Sequence, residues 1–86
     1  MPEISRFYGM IIRMFYNDHN PPHFHVIYQD HEAIVDIHTL EVLSGTIPKR
    51  AKLLVMEWAS DHRAELESNW ERARLRKELE KIEPLD

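Results

Sequence analysis

The 86-residue sequence contains no cysteine. Disulfide staples, thiolate metal sites and cysteine nucleophiles are therefore excluded, and a reducing, cytoplasmic setting is expected. Glycine is nearly absent too: Gly9 and Gly45 are the only two. A glycine-rich phosphate loop and a dinucleotide fingerprint are missing, as is a His-Glu-x-x-His zinc helix. No apolar run approaches the roughly 18 residues of a membrane span. The opening Met-Pro-Glu-Ile-Ser-Arg has no basic region followed by an apolar stretch, so neither a signal peptide nor a membrane partner is expected. Positive charge is not in excess. Residues 1–50 carry 4 Lys/Arg and 6 Asp/Glu, and residues 51–86 carry 7 and 9, so each part is −2 and the whole is −4. No global field draws in nucleic acid. What is present is an ordinary globular balance, 43% hydrophobic and 30% charged, together with six histidines. The length suits a single domain over 1–86.

The pattern changes near residue 48. Before it, β-branched and aromatic residues run in short segments that predict strands at about 10–16, 23–29 and 32–38, with a short fourth at 41–47. The stretch 17–22, Asn-Asp-His-Asn-Pro-Pro, reads as a loop. Alternation is cleanest in the second strand, where Phe24, Val26 and Tyr28 share one face and His23, His25 and Ile27 the other. A turn at Asp30-His31 would set Phe24 opposite Ile37 and Val26 opposite Val35. It would also set His23 opposite His38 and His25 opposite Asp36. From Pro48 onward, Ala51, Leu54, Val55, Trp58, Ala59, His62, Leu66, Trp70 and Ala73 follow helical spacing. One long helix is expected over about 48–75, kinked near 60–62, with residues 83–86 as a loose tail. The expected architecture is α+β: a small antiparallel sheet of three to four strands packed on that helix. Leu66 and Trp70 would extend beyond so small a sheet, which makes them interface candidates for a protein partner or a second copy.

Chemistry concentrates on the polar sheet face. His23, His25, Asp36 and His38 form the primary candidate site, since imidazole and carboxylate side chains on neighbouring strands can reach one divalent ion. Zinc, iron, nickel or manganese would suit that donor set. Asp18 and His19, in the loop entering the strand, can add a ligand. Lys49 and Arg50, at the predicted helix start, are anion-binding candidates beside free backbone N–H groups, and Arg13 joins them as a phosphate contact.

The segments Pro2-Glu3-Ile4-Ser5-Arg6-Phe7 and Asn17-Asp18-His19-Asn20-Pro21-Pro22-His23-Phe24-His25-Val26 resemble a family of small bacterial proteins, catalogued as domain of unknown function 4160. So do Ile47-Pro48-Lys49-Arg50-Ala51, Glu57-Trp58-Ala59 and Lys81-Ile82-Glu83-Pro84-Leu85. The resemblance implies a single-domain bacterial protein of uncharacterised activity. It also implies a gene neighbourhood like that of a toxin–antitoxin pair, with a second small protein encoded alongside. Where this chain has Asp30-His31, the family's hairpin turn is usually rich in glycine. Three functional readings follow. The leading one is an interaction module in a two-gene regulatory or toxin–antitoxin-like unit. An alternative is a metal-dependent hydrolase, or a ribonuclease toxin acting on RNA, built on the His/Asp patch. A DNA-binding repressor is the third, against which stand the acidic balance and the lack of a short helix-turn-helix.

Overall fold

Tight turns organise the sheet. In the computed structural model, which describes residues 2–86, strands β1 (Glu3–Phe7) and β2 (Met10–Arg13) are joined by Tyr8-Gly9. Both turn residues have positive φ, 50° and 79°, the conformation that matches hairpin twist. Strands β3 (His23–Tyr28) and β4 (His31–Asp36) meet at Gln29-Asp30, with Gln29 at φ 54°. Strand β5 (Val42–Gly45) completes an antiparallel meander in the order β1-β2-β3-β4-β5. Gly45 has φ +77°, and a Cβ there would collide with the Glu32 carbonyl oxygen, so β5 closes on a residue without a side chain.

The architecture is α+β, with five strands rather than the three to four expected. The additional one is β1. Its Glu-Ile-Ser-Arg-Phe sequence fails to alternate because a bulge inserts Ile4 between the paired Glu3 and Ser5. Ile4, Ser5 and Phe7 are all buried as a result. Strand β2 is shorter than the expected 10–16 and ends at Arg13, although the Met14 N–H still bonds to Pro2 O at 3.1 Å, in register with β1.

The register between β3 and β4 also differs from expectation. The turn lies one residue earlier, so Phe24 pairs with Val35, Val26 with Ala33 and His23 with Asp36. This slip of two residues keeps every side chain on its expected face, because strand faces repeat with period two. Phe24, Val26, Val35 and Ile12 therefore still meet Val55, Trp58 and Ala59, all fully buried.

Two helices replace the single long one: α1 (Lys49–Asp61) and α2 (Arg63–Arg74). They are separated at His62, within the expected kink at 60–62, where φ is −122° and ψ is 24°. The break brings one face of α2 against the end of the sheet. Arg63 Nε donates to Ile37 O at 3.2 Å, Glu67 pairs with His38 at 2.9 Å, Trp70 packs on His23, and Ala73 O accepts the Asn17 N–H at 3.3 Å. Residues 63, 67, 70 and 73 follow helical spacing, so a single face of α2 fixes the loop that enters β3.

The C-terminal stretch is tied down at several points. Ile82 N donates to Ile4 O at 2.8 Å, and the Asn69 side chain holds both the N–H and the carbonyl of Glu80. Within 83–86, expected to be loose, Glu83 O accepts Trp58 Nε1–H at 2.8 Å and Leu85 packs against the core. No helix among the described residues is long and apolar enough to cross a membrane.

Candidate metal centre

The loop 17–22 delivers a carboxylate to the two histidines of β3. Asn17 sits at φ 57° and is anchored to α2 through its N–H. Asp18 follows, and its Oδ1 accepts the His19 backbone N–H at 2.9 Å, which fixes the carboxylate plane. Oδ2 then faces His23 Nε2 at 2.9 Å and His25 Nε2 at 3.4 Å. One ligand atom from each of Asp18, His23 and His25 lies within 4.8 Å of the others. Both imidazoles are buried, at 3% and 9% exposure. Trp70 covers the His23 ring at 5.1 Å between centroids, and Phe15 meets the His25 ring edge-on at 4.4 Å.

The outer nitrogens are also engaged. His23 Nδ1 lies 2.7 Å from Pro21 O, and His25 Nδ1 lies 3.2 Å from Glu32 Oε2. Each ring therefore faces an oxygen acceptor on both sides. A neutral imidazole has a single N–H to give. If both Nδ1–H groups are donated outward, two Nε2 lone pairs converge on one carboxylate oxygen. That arrangement needs positive charge in the middle: either a metal ion or an extra proton on at least one of the two imidazoles. Outer Nδ1–H bonds to a carbonyl and a carboxylate are the usual supports of histidine ligands. Burial of Asp18 works to raise its pKa. The His19 backbone N–H and the His25 and His23 rings outweigh that effect and hold the carboxyl below its usual range.

The other expected ligands go elsewhere. Asp36 stands opposite His23 in the ladder, but its Oδ1 turns back to accept the His38 and Thr39 N–H groups at 2.7 and 2.9 Å. The Thr39 N–H leads in lowering the Asp36 pKa, with His38 adding to it against burial. Asp36 therefore closes the bend after β4 rather than joining the histidines. His38 lies beyond the end of β4 and pairs with Glu67 in a half-exposed position. His19 is mostly exposed, with its ring 3.1 Å from Asp18 Oδ1, on the side away from the converging Oδ2.

Lys49 and Arg50 are exposed on the first turn of α1. Arg13 lies apart from them, beside His25 on the outer sheet face. Leu66 and Trp70, expected to project toward a partner, are instead buried within the chain because the break at His62 turns α2 back over the sheet end. Glu32 was not anticipated. Its role becomes readable only with the Gln29-Asp30 turn, which pairs it with Ile27 and places it diagonal to His25.

A model of the family described as Domain of unknown function (DUF4160) matches residues 9–71, a span that includes Asp18, His23 and His25. No curated protein and no solved structure matches the chain.

Proposed function

This chain belongs to the domain of unknown function 4160 family, and from that premise and the geometry of its buried histidines we propose that it is a metal-dependent hydrolase centred on Asp18, His23 and His25. One observation carries the reading: two Nε2 atoms converge on a single Asp18 oxygen while both Nδ1 atoms already have acceptors. Three protein ligands leave coordination positions open for water and substrate, the pattern of catalytic rather than structural sites. The donor set suits zinc, iron, nickel or manganese. A divalent ion held by these three residues would supply Lewis acidity and make a bound water more acidic, with a pKa of about 7 in the case of zinc. The chain's own residues hold the geometry. Pro21 O and Glu32 set the two imidazole orientations, His19 N–H orients the carboxylate, and Trp70 and Phe15 wall the site from bulk water.

Elemental analysis of protein purified without a polyhistidine tag tests this reading. The expected content is about one transition-metal ion per folded chain. It should drop to background in a His23→Ala/His25→Ala double variant that retains its circular dichroism. A folded wild type that remains metal-free after incubation with each of the four ions would refute the assignment.

A second reading, an interaction module acting with a protein encoded nearby, is supported by the outer sheet face. Ile11, Ile27 and Ile34 lie there half-buried, and the edge strand β5 carries the exposed Leu43. Light scattering after size exclusion should then report a complex when the neighbouring gene product is added. A mass of one chain both alone and with that protein present sinks this reading.

A further inference from the structure

Arg13 has a buried guanidinium nitrogen that nothing among the described residues engages. Its side chain shares the outer face with His25, its register partner across β2 and β3, which places the two Cβ atoms about 4.5–5.5 Å apart. Its Nε is buried with no hydrogen-bond partner among the described residues. The nearest carboxylate in the same row is Glu3, opposite Arg13 on β1. Glu3 is already committed: both its oxygens accept from Arg6, at 3.0 and 2.7 Å. The Arg6 hydrogen bonds lead in lowering the Glu3 pKa, with Arg13 contributing only charge at a distance. A buried guanidinium N–H left unpaired is costly, and such groups are normally satisfied. The planar guanidinium fork matches the oxygens of a phosphate group.

We infer that the substrate of the Asp18/His23/His25 centre is a phosphate ester, with Arg13 gripping the phosphate oxygens beside His25. This inference rests on the metal reading above. An anion beside His25 would have its charge offset by the Arg13 guanidinium, and a divalent ion held by Asp18, His23 and His25 would add to that. In the hydrolysis, the oxygen of water bonds to phosphorus and the bond from phosphorus to the leaving oxygen breaks. The leaving oxygen takes up a proton from the water, and no electrons are exchanged. Ile11, Ile27 and Ile34 lie around this row half-buried, and a carboxylate on the same face, Glu32, is engaged by His25 Nδ1 at 3.2 Å.

The test uses manganese and inorganic phosphate as probes. Manganese binding is measured first, by water-proton relaxation. Phosphate binding to the manganese-loaded protein is then followed by phosphorus NMR line broadening. Arg13→Gln is expected to weaken phosphate binding at least tenfold while leaving manganese affinity within about twofold. Arg13→Lys should recover part of the loss, which guards against a merely misfolded glutamine variant. Lys52→Gln, exposed on α1, should bind phosphate as the wild type does. Full manganese affinity with no phosphate binding, or with unchanged binding in Arg13→Gln, overturns this inference alone. Failure of the wild type to take up manganese overturns the centre and this inference with it.

Discussion

Replacing Asp18 with asparagine is expected to abolish metal-dependent stabilisation while leaving the metal-free fold nearly as stable as before. In the wild type, free zinc at a hundred times its dissociation constant adds about 2.7 kcal/mol. For a domain of this size that is roughly 10–20 °C in Tm. The shift should vanish in Asp18→Asn, because an amide is a poor ligand and brings no charge. The metal-free variant keeps its local bonds: the amide oxygen still accepts the His19 N–H, and the NH2 group can donate to the lone pair on His23 Nε2. The competing arrangement, an imidazolium ring paired with the Asp18 carboxylate and no metal, gives the opposite pattern. Removing the carboxylate charge would leave a buried cation unpaired, at about 3–5 kcal/mol, and zinc would not shift the wild type. Thermal scans of both proteins after chelator dialysis, with and without zinc, separate the two. A destabilised Asp18→Asn together with a zinc-insensitive wild type would count decisively against a metal centre.

Trp58→Ala should be the most damaging single change in the core, at about 3–5 kcal/mol. Total stability for a chain of this length is roughly 4–13 kcal/mol, so the variant is expected to lose about a quarter of it or more. Trp58 is fully buried, with its ring 5.2 Å from Phe7 and 6.0 Å from Phe24, so it joins β1, β3 and α1 in one contact set. Its Nε1–H also holds Glu83 O, which ties the C-terminal stretch to the core. Trp58→Phe separates the two roles. It keeps an aromatic ring in the cavity and loses the donor, so the global loss should be smaller. The Ile82 amide, bonded to Ile4 O, should then exchange faster as residues 82–85 loosen. Urea denaturation and hydrogen exchange read the two effects. A loss below about 1 kcal/mol in Trp58→Ala would mean that the core is not centred on this residue.

The parts of the fold and site that could be read in advance are those written with a short period. His23-Phe24-His25-Val26 alternates without interruption, so Phe24 and Val26 turn inward and the two histidines share the other face. The apolar stripe from Ala51 to Ala73 specifies helix, and the weak point near His62 is where α1 and α2 part. Strand β1 could not be read, because its bulge breaks the period on which such a reading depends. An unbroken helix would carry Leu66 and Trp70 past the sheet, and the break at His62 buries them instead.

The amino-acid order alone determined the α+β class, the faces of β3 and the presence of His23 and His25 as neighbours on one polar surface. Tertiary structure alone decided which carboxylate joins them. A period of two is blind to a two-residue slip, so periodicity could not separate the Gln29-Asp30 turn from its neighbour. No local pattern records that Asp36 turns back to close its own bend while Asp18 swings in from a loop held by α2. Those choices rest on hydrogen bonds and packing between residues far apart in the chain, such as Asn17 with Ala73 and His23 with Trp70. Such contacts exist only once the helices have docked on the sheet.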